Sequence, residues 1–173
     1  MNQDVSGNIP PKGKVKTDIR EAAARKLAIS PMSSAELEKY LLKKNFDNDD
    51  VCELISEYID NGYLNDSRYC LDYFRYAYGK RKAKMRIFAE LRKKGIDRAL
   101  IEKAHEEYMN DYPVDELEMA REEAAKILRI SVVNREDRVS EKIKGRVARK
   151  LNAYGYPSHL IYEILDEIDS IEF

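Results

Sequence analysis

Leu37-x3-Leu41-x4-Phe46-x4-Val51-x2-Leu54-x3-Tyr58 is the stretch that decides the fold, because the chain contains it three times. Fifty residues further on, the same slots hold Ile87, Leu91, Ile96, Ile101, Ala104 and Tyr108. Sixty beyond those they hold Val147, Leu151, Tyr156, Ile161, Ile164 and Ile168. One turn slot agrees as well, with Asn45, Gly95 and Gly155 in register. Asn and Gly are the residues that tolerate a left-handed backbone after a helix. Chance matches of apolar residues are common, but this many in fixed register with a matching turn are not. The pattern predicts a tandem array of one helical unit, all-α, elongated and curved.

Working outward, the array divides into a disordered tail over residues 1–16 and three three-helix repeats over 17–64, 65–112 and 113–173. A repeat of about 50 residues buries too little surface to stand alone, so neighbours must stack. The first helix is expected from Asp18 to Ile29, rich in alanine and ended by Pro31. Ser33 and Glu36 form a capping box that opens the second, which Asn45 closes. Asp47 or Asn48 caps the third, and Asn61-Gly62 stops it. Asn65 or Asp66 then caps a helix broken at Gly79, and helices follow over 82–94 and 97–109. Beyond Pro113, helices are expected over 114–129, 137–153 and 157–170, with a charged linker through Asn134. No period-2 alternation of useful length suggests a strand.

The net charge of −1 conceals a segregation. Arg68 to Arg98 holds eleven basic residues against Asp72, Glu90 and Asp97. Arg138 to Lys150 holds six against Glu141. Asp47 to Asp66 holds seven acids and no base, and Glu102 to Glu123 holds nine acids against Lys103 and Arg121. The basic excess falls on the second helix of the middle and last units, and the acids on third helices. Corresponding helices line one side of a solenoid, which predicts a basic ridge and an acidic ridge. A basic ridge suits phosphate backbone or an acidic protein groove. Its candidate contact residues are Lys80, Arg81, Lys82, Lys84 and Arg86, with Arg146, Arg149 and Lys150 as a second patch.

Tyr69, Tyr73, Phe74, Tyr76 and Tyr78 sit beside the first patch, and aromatics among cations can stack single-stranded bases. Tyr69 and Tyr73 are expected to pack the core with their hydroxyls at its edge. Phe74 and Tyr78 face elsewhere and remain candidate stacking residues. His105 and His159 lack partners at metal spacing and read as helix-surface or cap residues. Asp66 reads as a helix cap. Neither a metal site nor a cofactor is expected. Gly79-Lys80 is followed by Arg81 and lacks the upstream glycine of a phosphate loop, and there is no Gly-x-Ser-x-Gly elbow. The chain reads as a binding protein rather than an enzyme. Cys52 and Cys70 are the only cysteines; with no signal-peptide core and no apolar run near 18 residues, a reduced, cytoplasmic monomer is expected.

Gly62-Tyr63-Leu64-Asn65-Asp66, Arg68-Tyr69, Ile87, Glu90-Leu91 and Lys94-Gly95-Ile96 resemble the middle unit of the RecX family of bacterial recombination regulators. Ser33-x-x-Glu36-Leu37 with Leu41 resembles the family's first unit, and Leu151, Gly155-Tyr156 and Ile161 its third. The likeness spans roughly residues 18–172. Members often carry an arginine just before the first-unit serine and a glycine in the turn before the middle unit's second helix. This chain has Ile29-Ser30-Pro31-Met32 and Arg81-Lys82-Ala83 there. The resemblance implies three tandem three-helix repeats. It also implies binding to the RecA recombinase and its DNA filament, with inhibition of ATP hydrolysis, strand exchange and coprotease activity. Single- or double-stranded DNA is a further candidate partner. Direct DNA binding without recombinase, or an α-helical scaffold for another protein, are the alternatives.

Overall fold

The computed structural model describes residues 18–133 and 140–170. The expected N-terminal tail and the end of the charged linker lie outside them. Within them the chain forms α1 (Ile19–Ile29), α2 (Ser34–Lys43), α3 (Asn48–Asp60), α4 (Asp66–Gly79), α5 (Lys84–Lys93), α6 (Arg98–Asp111), α7 (Glu116–Val133), α8 (Glu141–Tyr154) and α9 (Ser158–Asp169). No strand occurs among the described residues. The helices pack in triplets: α1, α2 and α3 against one another, then α4 to α6, then α7 to α9. The all-α repeat fold read from the periodicity is the observed one.

Local chemistry sets the boundaries. Each N-terminus leaves free backbone N–H groups that a short polar side chain can satisfy. Asp18, Asp47, Asn65 and Asp97 each accept such a bond from the residue two or three places on. Ser33 and Glu36 form the complete reciprocal capping box. Asn45 (φ 64°), Gly62 (φ 74°), Gly95 (φ 81°) and Gly155 (φ 86°) make the left-handed turns. Helix α4 ends at Gly79 as expected, but Gly79 itself keeps a right-handed backbone and the left-handed residue of the turn is Arg81 at φ 61°. That is the turn in which RecX members often carry glycine, so this chain holds an arginine in a conformation that a side chain disfavours.

The buried residues form two bodies. One gathers Ala22, Ala23, Leu37, Leu41, Val51, Leu54, Tyr58 and Leu64 from the first triplet. The other runs without interruption through the second and third, from Cys70, Phe74, Ile87 and Leu91 to Ala120, Val147, Leu151 and Ile164. The slots of the opening motif are the ones that close: Leu37, Ile87 and Val147 are fully buried, as are Leu41, Leu91 and Leu151.

Candidate interaction surface

The second helices of the triplets abut end to end. At the first junction the C-terminus of α5 meets the N-terminus of α2, where Ser33 Oγ donates to the Lys94 carbonyl at 2.5 Å. At the second, the C-terminus of α8 meets the N-terminus of α5, where Ala83 N–H donates to the Tyr154 carbonyl at 2.9 Å. Ser33 and Ala83 share one repeat slot, and Lys94 and Tyr154 share another. The following unit also supplies a carboxylate to each α2 or α5 N-terminus. Asp66 accepts from Ser34 N–H at 2.8 Å and from Ser34 Oγ at 2.5 Å. Glu116 accepts from Lys84 N–H. Asp66 is thus a cap for a helix in the preceding triplet, while Asn65 caps its own. Only glycine fits the turns: a Cβ on Gly95 would collide with Ala35, and one on Gly155 with Arg86. The result is a column, α8 then α5 then α2, with helix dipoles aligned head to tail.

The column carries the predicted basic residues, but they divide into two kinds. Arg81 pairs with Glu122 and approaches Glu123. Lys82 bonds Glu90 at 2.7 Å, and Arg86 bonds Glu90 at 3.1 Å and the Ala153 carbonyl at 3.1 Å. Burial alone would raise the Glu90 carboxyl, yet bonds from Lys82, Tyr73 and Arg86 hold it below the usual carboxylate range. These three cations are tied into the second junction. Lys84, Arg146 and Arg149 are exposed and make no ion pair among the described residues. Lys80 lies over the Tyr76 ring and Lys150 over Tyr154, also without a carboxylate partner at ion-pair distance. Those five can meet a partner without dismantling the fold. For Arg81 the charge count could not show this, because Glu122 and Glu123 lie about forty residues away in sequence, whereas Lys82 and Arg86 pair with the nearby Glu90.

One aromatic assignment is overturned, while Tyr69 and Tyr73 pack against the core as expected. Phe74 and Tyr78 are core residues at 0% and 6% exposure and offer no face to a base. They pack with Tyr108 and with His105, whose Nε2 lies 2.9 Å from the Tyr78 hydroxyl. His105 is therefore no surface residue; burial, with Lys84 nearby, lowers its pKa to about 4. His159 is exposed, as expected. Tyr69 and Tyr73 are half-buried, and their hydroxyls reach Glu36 at 3.5 Å and Glu90 at 2.7 Å. Lys94 sits over both rings and bonds Glu36 at 2.9 Å. Tyr76 and Tyr63 are open rings, at 56% and 71% exposure, as are Tyr112 and Tyr162 elsewhere. Burial also raises the Cys70 thiol to about 11. Among the described residues no group of three His, Cys, Asp or Glu side chains is placed to hold a metal ion. Among the described residues no helix is long and apolar enough to cross a membrane.

Comparisons with known proteins agree with this architecture. Residues 65–104 match the family model for the second three-helix domain of RecX. The regulatory protein RecX of Streptomyces coelicolor is 26% identical over 159 residues, covering 91% of this chain and 82% of that one. The crystal structure of RecX from Lactobacillus salivarius superposes with a TM-score of 0.67 at 26% identity, covering 88% of this chain and 96% of that one. A second crystal structure of a regulatory protein RecX gives a TM-score of 0.63 at 20% identity, over 86% of this chain and 71% of that one, and speaks for the fold alone. The resemblance to the RecX family read from the sequence is borne out.

Proposed function

We propose that this RecX-like chain is a regulator that binds the RecA filament and restrains it, lowering ATP hydrolysis, strand exchange and coprotease activity without chemistry of its own. The observation that carries the reading is similarity to RecX along nearly the whole chain, in sequence and in fold together. The helix column supplies a chemistry for it. Lys80, Lys84, Arg146, Arg149 and Lys150 present unpaired charge toward an acidic recombinase surface or toward filament DNA. Arg81, Lys82 and Arg86 are instead tied to Glu122 and Glu90 at the second junction. The three repeats act as one cytoplasmic protein with no cofactor.

The test is the single-stranded-DNA-dependent ATPase of the cognate RecA, titrated with this protein. Inhibition at well under one molecule per recombinase subunit supports the reading and favours capping or spreading disassembly. Absence of inhibition at excess defeats it. A chain carrying Lys84→Glu, Arg146→Glu and Arg149→Glu should keep its helicity and bind the filament more weakly. Unchanged affinity would remove the column as the contact surface.

A further inference from the structure

Within Gly62-Tyr63-Leu64-Asn65-Asp66 and Arg68-Tyr69, most residues have structural work. Gly62 makes the left-handed turn, Leu64 is buried, Asn65 caps α4 and Asp66 holds the N-terminus of α2. Tyr63 and Arg68 do not fit that description. The Tyr63 ring leans on Tyr58 at 5.3 Å yet stays largely open, and Arg68 is exposed with no ion pair among the described residues. Both line a groove of about 700 Å³ between the first and second triplets. Its wall is Leu27, Pro31 and Met32, and its floor is the Tyr69, Tyr73, Tyr76 row of α4.

That row is a prepared surface. Tyr69 and Tyr73 stack with planes 21° apart and centroids 6.2 Å apart, and Tyr76 continues the row at 6.1 Å. Lys94 and Lys82 lie over the rings and are held there by Glu36 and by Glu90, which Arg86 shares, so they steady the row. The acid on the groove, Asp72, is paired with Arg75 at 3.2 Å. Arg68 on the groove and Lys80 over the Tyr76 ring have no carboxylate at ion-pair distance among the described residues. Flat open rings flanked by unpaired cations match a ligand with stacked planar groups on an anionic chain.

We infer that this groove holds a short run of single-stranded nucleic acid, bases against Tyr76 and Tyr63 and phosphates on Arg68 and Lys80. The site is separate from Lys84, Arg146 and Arg149, and it needs no recombinase. It is tested with the full chain alone, by anisotropy of a fluorescein-labelled oligothymidylate of about 15 residues at low salt. Tyr76→Ala and Tyr63→Ala should each weaken binding about fivefold or more, while Tyr76→Phe keeps it. Arg68→Ala and Lys80→Ala should each reduce the log–log salt slope by about 0.7. The chain has no tryptophan, so quenching of tyrosine emission reports stacking directly. The Arg146→Glu, Arg149→Glu chain should bind the oligonucleotide as the parent does. Failure of the parent to bind overturns the proposal, as does a loss confined to the Arg146, Arg149 variant. Equal competition by a duplex of the same length, or by poly-glutamate of matched charge, also overturns it, because neither presents free base faces. None of these outcomes bears on the ATPase test above.

Discussion

The two junctions use one set of contacts and differ in what lies behind it. Each seats a helix N-terminus on the end of the next unit's second helix, caps it with a carboxylate from that unit, and closes over a glycine turn. At the second junction, apolar residues of α4 to α9 continue into one core. At the first, the core stops, and the tie is polar: Glu36 with Lys94 and Tyr69, and Ser34 with Asp66. Burial on its own would lower the Lys94 ammonium, but its bonds to Tyr69 and Glu36 raise it. An apolar junction holds through buried area, without direction. A polar one holds through geometry and yields when a partner is removed. The first triplet should therefore behave as a separable module, and the other two as one cooperative body.

The strongest way to break this comparison is to empty a core. Leu91 is fully buried in the larger body, and Leu91→Ala should cost about 2–5 kcal/mol. Hydrogen exchange should then rise across α4 to α9 together. Leu41→Ala, of similar cost, should raise exchange in α1 to α3 and spare the rest. Protection lost only in α4 to α6 after Leu91→Ala would show that the continuous core does not couple its halves.

Next come the glycine turns. Gly155→Ala meets both the left-handed backbone penalty and the Arg86 main chain, and should cost about 2–4 kcal/mol. Gly95→Ala carries the same left-handed penalty but meets the Ala35 Cβ alone at close range, with no main-chain atom crowding it, and should cost less, with the loss confined to attachment of the first triplet. Urea midpoints rank them, and a larger loss at Gly95 would invert the proposed order.

Acid should act on one body before the other. His105 is buried in the larger core, and the smaller core contains no histidine. Its folded pKa of about 4 is below the ordinary 6.5, so the unfolded chain takes the proton first. That contribution is complete above pH 6.5 and is lost as pH falls toward 4, a loss of roughly 2–3 kcal/mol by pH 4.5. The difference between the parent and His105→Gln in urea midpoint, at pH 7.5 and at 4.5, isolates it. A difference that does not change with pH would mean that His105 is protonated in place.

The smallest effect sharpens the polar junction. Asp66→Ala removes a cap worth about 1–2 kcal/mol and should loosen α2 without disturbing α8 or α9. Amide exchange at Ser34 and Ala35 is the readout. Unchanged protection there would assign the junction to Ser33 and Lys94 instead.

The sequence makes legible what depends on spacing and hides what depends on folding back. The apolar slots, the capping box at Ser33 and the left-handed turns at Asn45, Gly95 and Gly155 are local, and each stands where the pattern puts it. Helix α4 shows where periodicity stops deciding. Tyr69, Tyr73 and Tyr76 make one stripe and Cys70, Phe74, Ala77 and Tyr78 another, and both are aromatic. The second is buried because Tyr108 and His105 close over it, a fact carried by another helix. Arg81 was legible as a cation but not as a left-handed residue, since its partners Glu122 and Glu123 arrive from α7. For Arg81, availability to a partner is settled by these distant carboxylates, while Lys82 and Arg86 are tied by the nearby Glu90.

Asn45 marks how the outermost turn differs from the interior ones. A protein assembled by repeating one contact has, in principle, two sticky ends, and copies could stack indefinitely. Asn45 occupies the slot of Gly95 and Gly155, bends the same way, and carries the Cβ that both interior turns exclude. Nothing can be seated there as α2 is seated on Gly95. At the opposite end α8 begins three residues earlier than the α2 and α5 register requires, so its terminus overruns the position where a further turn would close. The outermost turn thus differs from the two interior ones in the single atom that decides whether a helix terminus can close over it.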